Sequence, residues 1–251
     1  MNFSLFILRI KKILAICSNF RYLMAFIKTG VAPSIEHSKL FEDYKFNNLI
    51  DVGGNIGQFS LFASQKNIKK ILIFEPIVEC AVKIKKIFKK NKNVKILKYA
   101  LGQKKEIKKM FITNKIDSSS FFKPSNLLKQ KLKIFTDQTK KIKIYRADKI
   151  LNKVLKTDKI LLKIDTQGYE LEVLKGFGKK ISFIDGIYCE CSFVKMYEGQ
   201  PIYKDIINYL NTKNFYLAKT YNKSFFSKKK LLQADFLFLK NSLSLNIKKS
   251  T

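Results

Sequence analysis

Histidine occurs once and cysteine four times in these 251 residues, and Cys17, Cys80, Cys189 and Cys191 include no C-x-x-C pair. A structural zinc site takes about four soft ligands at recurrent spacings, so this composition excludes one, and no metal is expected. The cysteines read as reduced, mostly buried thiols. Long hydrophobic runs are missing as well. Nothing reaches the roughly 20 apolar residues needed to cross a bilayer, and the stretch from Leu5 to Leu8 is broken at once by Arg9, Lys11 and Lys12. No small-residue cleavage pattern follows a long apolar core, which argues against a secretory signal. A cytoplasmic protein is expected, with peripheral contact at the inner membrane face as a variant of that expectation.

Acidic residues are scarce: 19 against 50 basic ones, for a net charge of +31. Clustered Lys and Arg would point to nucleic acid or an anionic membrane. Here the charge is mostly lysine spread along the chain beside abundant isoleucine and asparagine, as a compositional drift would produce, so no nucleic-acid partner is expected. A basic nucleic-acid or membrane-binding module stays as the non-enzymatic alternative. Its most suggestive segment is residues 1–30, where apolar clusters (Phe3, Leu5, Phe6, Leu8; Ile13, Leu14, Ile16) alternate with Arg9, Lys11, Lys12, Arg21 and Lys28 at amphipathic-helix spacings. Such helices either lie in an anionic membrane interface or pack on the neighbouring domain, the second fate being commoner.

From Lys45 onward, apolar runs of strand length (48–52, 70–74, 94–99) alternate with helical segments (58–65, 78–90), the rhythm of βαβ units and a parallel sheet. It breaks between 103 and 150, where polar stretches around 117–120 and 136–141 suggest a loop-rich insertion. It resumes with strands at 160–164 and 184–189, helices at 169–175 and 202–210, and late strands at 215–219 and 234–239. The expected organisation is a basic helical extension over 1–35, one α/β catalytic domain over 36–242 and a basic tail over 243–251.

One turn in this pattern carries chemistry. Asp51-Val52-Gly53-Gly54-Asn55-Ile56-Gly57 follows an apolar strand and opens a helix, the place where open α/β sheets bind nucleotide-like ligands. Gly53 admits close ligand approach, Gly57 admits tight packing at the helix start, and Asn55 tolerates the left-handed conformation of a middle glycine. Glu75 ends the second strand 22 residues after Gly53, where a carboxylate accepts hydrogen bonds from ribose hydroxyls. That spacing suits NAD and S-adenosyl-L-methionine alike. Asp51 separates them, since a carboxylate there would face the pyrophosphate of NAD but can pair with the ammonium of a methionine moiety. An NAD-dependent sugar-nucleotide oxidoreductase or epimerase is the enzymatic alternative, but it lacks a Tyr-x-x-x-Lys pair in helix context.

From about Glu36 to Leu239 the chain resembles the FkbM-type methyltransferases, S-adenosylmethionine-dependent O-methyltransferases. The likeness runs through Glu36-His37, the turn from Asp51 to Ser60, Phe74-Glu75-Pro76, Ala100-Leu101-Gly102, Asp117-Ser118-Ser119-Ser120, Leu162 to Glu170, Glu190-Cys191-Ser192-Phe193 and Gln233 to Phe238. It implies a Rossmann-like class I methyltransferase fold, a seven-stranded mostly parallel sheet with an antiparallel last strand and helices on both faces. It also puts Asp51, Gly53, Asn55, Gly57 and Glu75 on the cofactor pattern, with Gly54 inside the same turn, and Ala100 at the adenine edge. The acceptor it implies is a sugar hydroxyl in a polysaccharide or glycolipid. The chain departs from the family at Gly54, where alanine is more frequent, and at Lys195, where an acidic residue is common close to the expected acceptor pocket.

Methyl transfer asks a protein to align an acceptor oxygen and relieve it of a proton. Strand alternation puts Lys163 and Asp165 on one side with Asp165 at the strand tip, so Asp165 is the first candidate base; its structural alternative is a helix N-cap. His37 is the second candidate. Glu190, flanked by Cys189 and Cys191 that face the other way, either reaches the acceptor site or pairs with a lysine. Ser118, Ser119 and Ser120 offer hydroxyls to a polyol, or form an ordinary polar loop, and Gln167 and Glu170 are further candidates for acceptor contact.

Overall fold

The computed structural model describes residues 3–151, 159–227 and 230–241, so the basic tail expected over 243–251 lies outside the described residues. The chain opens with helices α1 (Phe3–Ser18) and α2 (Phe20–Thr29), then α3 (Ser38–Asp43). The βα rhythm follows as β1 (Asn48–Val52), α4 (Gln58–Ala63), β2 (Lys70–Phe74), α5 (Val78–Ile87) and β3 (Val94–Leu97). Its second half comprises β7 (Ile160–Ile164), α8 (Glu170–Gly176), β8 (Gly186–Ser192), α9 (Tyr203–Asn211), β9 (Phe215–Ser227) and β10 (Lys230–Lys240).

Seven strands form one sheet in the order β3-β2-β1-β7-β8-β10-β9. β1, β2, β3, β7 and β8 pair in parallel, and β10 runs antiparallel to both neighbours. The order reverses direction at β1/β7, and that is where an open sheet leaves a crevice at its carboxyl edge.

Every residue of β1 and β7 is buried, as parallel strands covered on both faces must be. Alternation divides them. Ile50, Val52, Leu72, Phe74, Leu162 and Ile164 join Val173, Leu174, Ile206 and Leu210 of α8 and α9 in one core cluster. Leu49, Ile71, Ile73 and Leu161 join Ile16 of α1, Tyr22 of α2, Leu40 of α3 and Phe59 and Phe62 of α4 in the other. Asp51 and Lys163 stand opposite each other in register on that second face.

The segment 103–150 is more regular than its sequence suggests. It forms a second sheet, in the order β4-β6-β5, from β4 (Ala100–Leu101), β5 (Glu106–Thr113) and β6 (Thr136–Tyr145), with α6 (Asn126–Lys131) and α7 (Ala147–Ile150) beside it. The polar stretch 136–141 is the first half of β6, paired antiparallel with β5, rather than loop. One face of the ribbon meets solvent along much of its length, so lysine and threonine hide the period of two. From β5 and β6, Met110, Ile112, Ile142 and Ile144 enter the core, beside Ala100 and Leu101 of β4.

Candidate active site

The β1–α4 turn is held by geometry that glycine alone permits at its first position. Gly53 and Gly54 both donate their amides to the Phe74 carbonyl, at 3.0 and 3.1 Å. Gly53 has φ 79°, and a Cβ there would lie 1.9 Å from the Asp165 carbonyl oxygen. Asn55 adopts φ 46°, the left-handed conformation expected of it. Gly54 has a packing cause: a Cβ would meet Ile73 Cγ2 at 2.3 Å, so Ile73 fills the space a methyl would need.

Glu75 receives the turn. Its Oε2 accepts from the Asn55 amide and its Oε1 from the Ile77 amide, both at 2.7 Å. Burial raises the Glu75 pKa to about 7 against these two bonds. Further donors arriving from a ligand would favour its charged form. Around it a narrow cavity of about 60 Å³ is lined by Gly53, Ile77, Ala100, Leu101, Met110 and Phe121 among others. The slot is mainly apolar, with one buried carboxylate, Glu75, at its rim.

Asp51 departs from expectation. It is fully buried and lines neither this cavity nor its neighbour. Ser60 Oγ donates to its Oδ2 at 2.6 Å, and Lys163 Nζ lies 3.1 Å from its Oδ1. The ammonium facing Asp51 is therefore the chain's own. Lys163 also donates to the Gly53 carbonyl at 2.9 Å and lies 3.7 Å from Asp165 Oδ2. Burial alone would discharge this lysine, but Asp51 and Asp165 hold its pKa above the ordinary value.

A second, larger cavity of about 440 Å³ adjoins the first, and Gly53, Asn55, Asp117, Asp165 and Gln167 line both. Gln167 Nε2 donates to Asp165 Oδ1 at 2.9 Å and to Glu190 Oε2 at 3.0 Å, so one amide ties the tip of β7 to β8. The other Glu190 oxygen accepts from Gln233 Nε2 on β10, and Tyr197 Oη donates to Gln167 Oε1 at 3.0 Å. Glu190 thus reaches the cavity, and its hydrogen-bond partners are amides rather than a lysine. Burial, reinforced by Asp165, raises its pKa.

On the opposite wall His37 Nδ1 lies 3.0 Å from Tyr188 Oη and 3.5 Å from Asp235 Oδ2. Tyr188 Oη and Asn222 Nδ2 donate to that same carboxylate oxygen, at 2.9 and 2.8 Å. Burial lowers the His37 pKa, against Asp235 and Glu36, which raise it. Burial raises the pKa of Asp235, against His37. Sequence reasoning missed Tyr188, Asp235, Tyr197 and Gln233. The register Asp235 to Glu190 puts Gln233 and Asp235 on the cavity side, a placement that alternation along 233–239 could have suggested.

Three expected acceptor contacts are occupied elsewhere. Ser120 Oγ is buried, donating to the Gln167 carbonyl at 2.6 Å and accepting from the Phe122 amide; Ser119 Oγ accepts from the Thr113 amide. Glu170 is buried, and its Oε1 accepts from the Thr166 and Gly168 amides and the Thr166 hydroxyl. These bonds hold the loop ahead of α8 in place; no side chain caps that helix, so Asp165 is not its N-cap. Lys195 is exposed and lines neither cavity. Ser118 stays on the larger cavity.

Fold and cavity geometry together define a Rossmann-like methyltransferase. The Methyltransferase FkbM domain matches residues 51–217, and the chain belongs to the FkbM methyltransferase family. That membership sets aside the nicotinamide alternative. No curated protein matches the chain. Similar solved structures include a proposed RNA methyltransferase of Pyrococcus horikoshii, 12% identical, covering 82% of this chain and 83% of that one with a TM-score of 0.44. A proposed tRNA methyltransferase of Streptococcus pneumoniae holding S-adenosylmethionine is 8% identical, covering 83% and 73%, TM-score 0.45. A proposed methyltransferase of Streptococcus mutans holding S-adenosylhomocysteine is 13% identical, covering 82% and 96%, TM-score 0.45.

Proposed function

We propose that this protein is an S-adenosylmethionine-dependent O-methyltransferase acting on a sugar hydroxyl of a polysaccharide or glycolipid. The observation that carries the acceptor is a contrast in charge. In a chain of net charge +31, the larger cavity is walled by Glu36, Asp117, Asp165, Glu190 and Asp235, with Lys163 the one lysine among its lining residues. Such a wall offers a phosphate-rich strand no lysine but Lys163 and offers hydrogen bonds to a neutral polyol.

In this reading Glu75 and the turn from Gly53 to Asn55 bind the nucleoside, and the cofactor supplies a methyl group on a sulfonium. Asp165 lies where the two cavities join and orients the acceptor hydroxyl; Gln167 and Lys163 hold its carboxylate in place. His37 takes the proton. A pKa below 6.5 keeps the ring neutral near pH 7, with one ring nitrogen free of a proton to receive it. Asp235 then stabilises the imidazolium as it forms.

Calorimetric titration with S-adenosylmethionine, S-adenosylhomocysteine and NAD, followed by transfer of labelled methyl to glycolipid and to tRNA, tests the proposal. Binding of the first two and label in glycolipid are expected. Binding of NAD alone would overturn the cofactor, and label confined to tRNA would overturn the acceptor.

A further inference from the structure

Helix α1 turns the wrong side to its own protein for an ordinary packed helix. Ile16 is buried and Ala15 packs on the core, while Lys12 Nζ reaches Glu36 Oε1 at 3.0 Å. The other side carries Phe6, Ile7, Ile10, Ile13 and Leu14, all exposed, the last two at 59% and 62%. At about 100° per residue these fall in one stripe roughly 120° wide, with exposed Arg9 and Lys11 each about 40° beyond opposite edges. Helix α2 also exposes apolar side chains opposite its buried side, with its two cations together on one flank about 100° round the helix. Tyr22 and Ala25 are buried, Phe20 and Ile27 are 75% and 67% exposed, and Arg21 and Lys28 stand exposed.

We infer that α1 and α2 are an in-plane docking face for a bilayer surface bearing anionic lipid. Residues 1–30 hold five basic side chains and no acidic one. An apolar stripe edged by cations matches hydrocarbon edged by anionic headgroups. A second copy of this chain is a poor match for the same surface, because pairing two such faces would bring Arg9, Lys11, Arg21 and Lys28 together with no carboxylate in the segment to receive them. Nucleic acid would engage the cations and leave the stripe in water. None of the described helices is long and apolar enough to cross a membrane, which suits a helix lying in the surface.

The placement bears on the acceptor. Glu36, the partner of Lys12, lines the larger cavity together with Ser34 and His37, so the docking helix is anchored at that cavity's rim. A glycolipid headgroup standing in the same bilayer would meet the site without leaving the surface. This consequence rests on the function proposed above; the docking does not.

Flotation of the full chain with phosphatidylcholine vesicles, with and without phosphatidylglycerol, tests the docking and needs neither cofactor nor acceptor. Binding to the anionic vesicles is expected. The double variant Ile10→Ser/Leu14→Ser keeps the net charge of +31 and should lose at least about tenfold in partition, since its aliphatic side chains no longer enter hydrocarbon. Unchanged binding by that variant would show adsorption by charge alone and overturn the inference. So would a wild type that ignores vesicles and instead forms a dimer dissolved by the same variant. The chain has no tryptophan, so Ile13→Trp gives a single reporter whose emission should shift to the blue on anionic vesicles; an unshifted emission with bound protein would also overturn it.

Discussion

The two cavities share a wall and differ in almost everything else. The smaller lies over the ends of β1 and β2 against the inserted sheet, is largely aliphatic, and has buried Glu75 at its rim. The larger lies over β7, β8 and β10, and its polar side chains are tied to one another across strands: Gln167 to Asp165 and Glu190, and His37 to Tyr188 and Asp235. An aliphatic slot selects by shape and burial, whereas a hydrogen-bonded ring of carboxylates and amides holds its groups in fixed positions and has a defined charge. Under the proposed function, the first holds the one constant ligand and the second orients one hydroxyl among several.

That contrast breaks most strongly at Asp51. Asp51→Ala leaves Lys163 charged and buried with only Asp165 beside it, so a loss of about 3–5 kcal/mol in unfolding free energy is expected by urea titration. A stable variant that has merely lost cofactor would return Asp51 to the ligand. Asp165→Asn and His37→Gln sharpen the division of labour between the cavities. Both should bind S-adenosylhomocysteine within a few fold of wild type and turn over about 10²–10³-fold more slowly. His37 must be neutral to act, and its lowered pKa keeps it so at mildly acid pH. Wild-type turnover should therefore fall only as pH drops below 6.5, and His37→Gln should erase that limb. A limb that survives the substitution would move proton removal to another group.

The smallest effect concerns Glu170, whose pKa burial raises to about 7. Its folded value exceeds the unfolded one. The stability it contributes is therefore complete below about 4.5 and is lost as pH rises through 7. Glu170→Gln keeps an oxygen for the Thr166 and Gly168 amides and removes the charge. It should gain about 1–2 kcal/mol near pH 8 and nothing near pH 4, read by urea unfolding. No gain near pH 8 would mean that the three donors already sustain the carboxylate.

Much of the first cavity was legible in order of residues. The run from Asp51 to Gly57 and Glu75 lie in two consecutive βα units, where strand alternation and turn conformation are local properties. The late strands were placed but read short, because β9 and β10 continue past their apolar stretches into a hairpin whose register shifts. The inserted sheet was read as loop because its exposed lysines and threonines obscure the alternation. The serine run reads equally as hydroxyls for a polyol or as a polar loop; Ser119 and Ser120 instead turn inward to satisfy backbone amides and a carbonyl, a use that no linear pattern announces.

Chain order was thus enough for the βα units, for the glycine turn and for the position of Glu75, since each depends on neighbours a few residues away. Which cation meets Asp51, which carboxylate stands behind His37 and which side of α1 faces away from the core were settled by pairing between segments up to about two hundred residues apart. Polar partners are chosen by register and burial. Neither is written in the residues on either side of them.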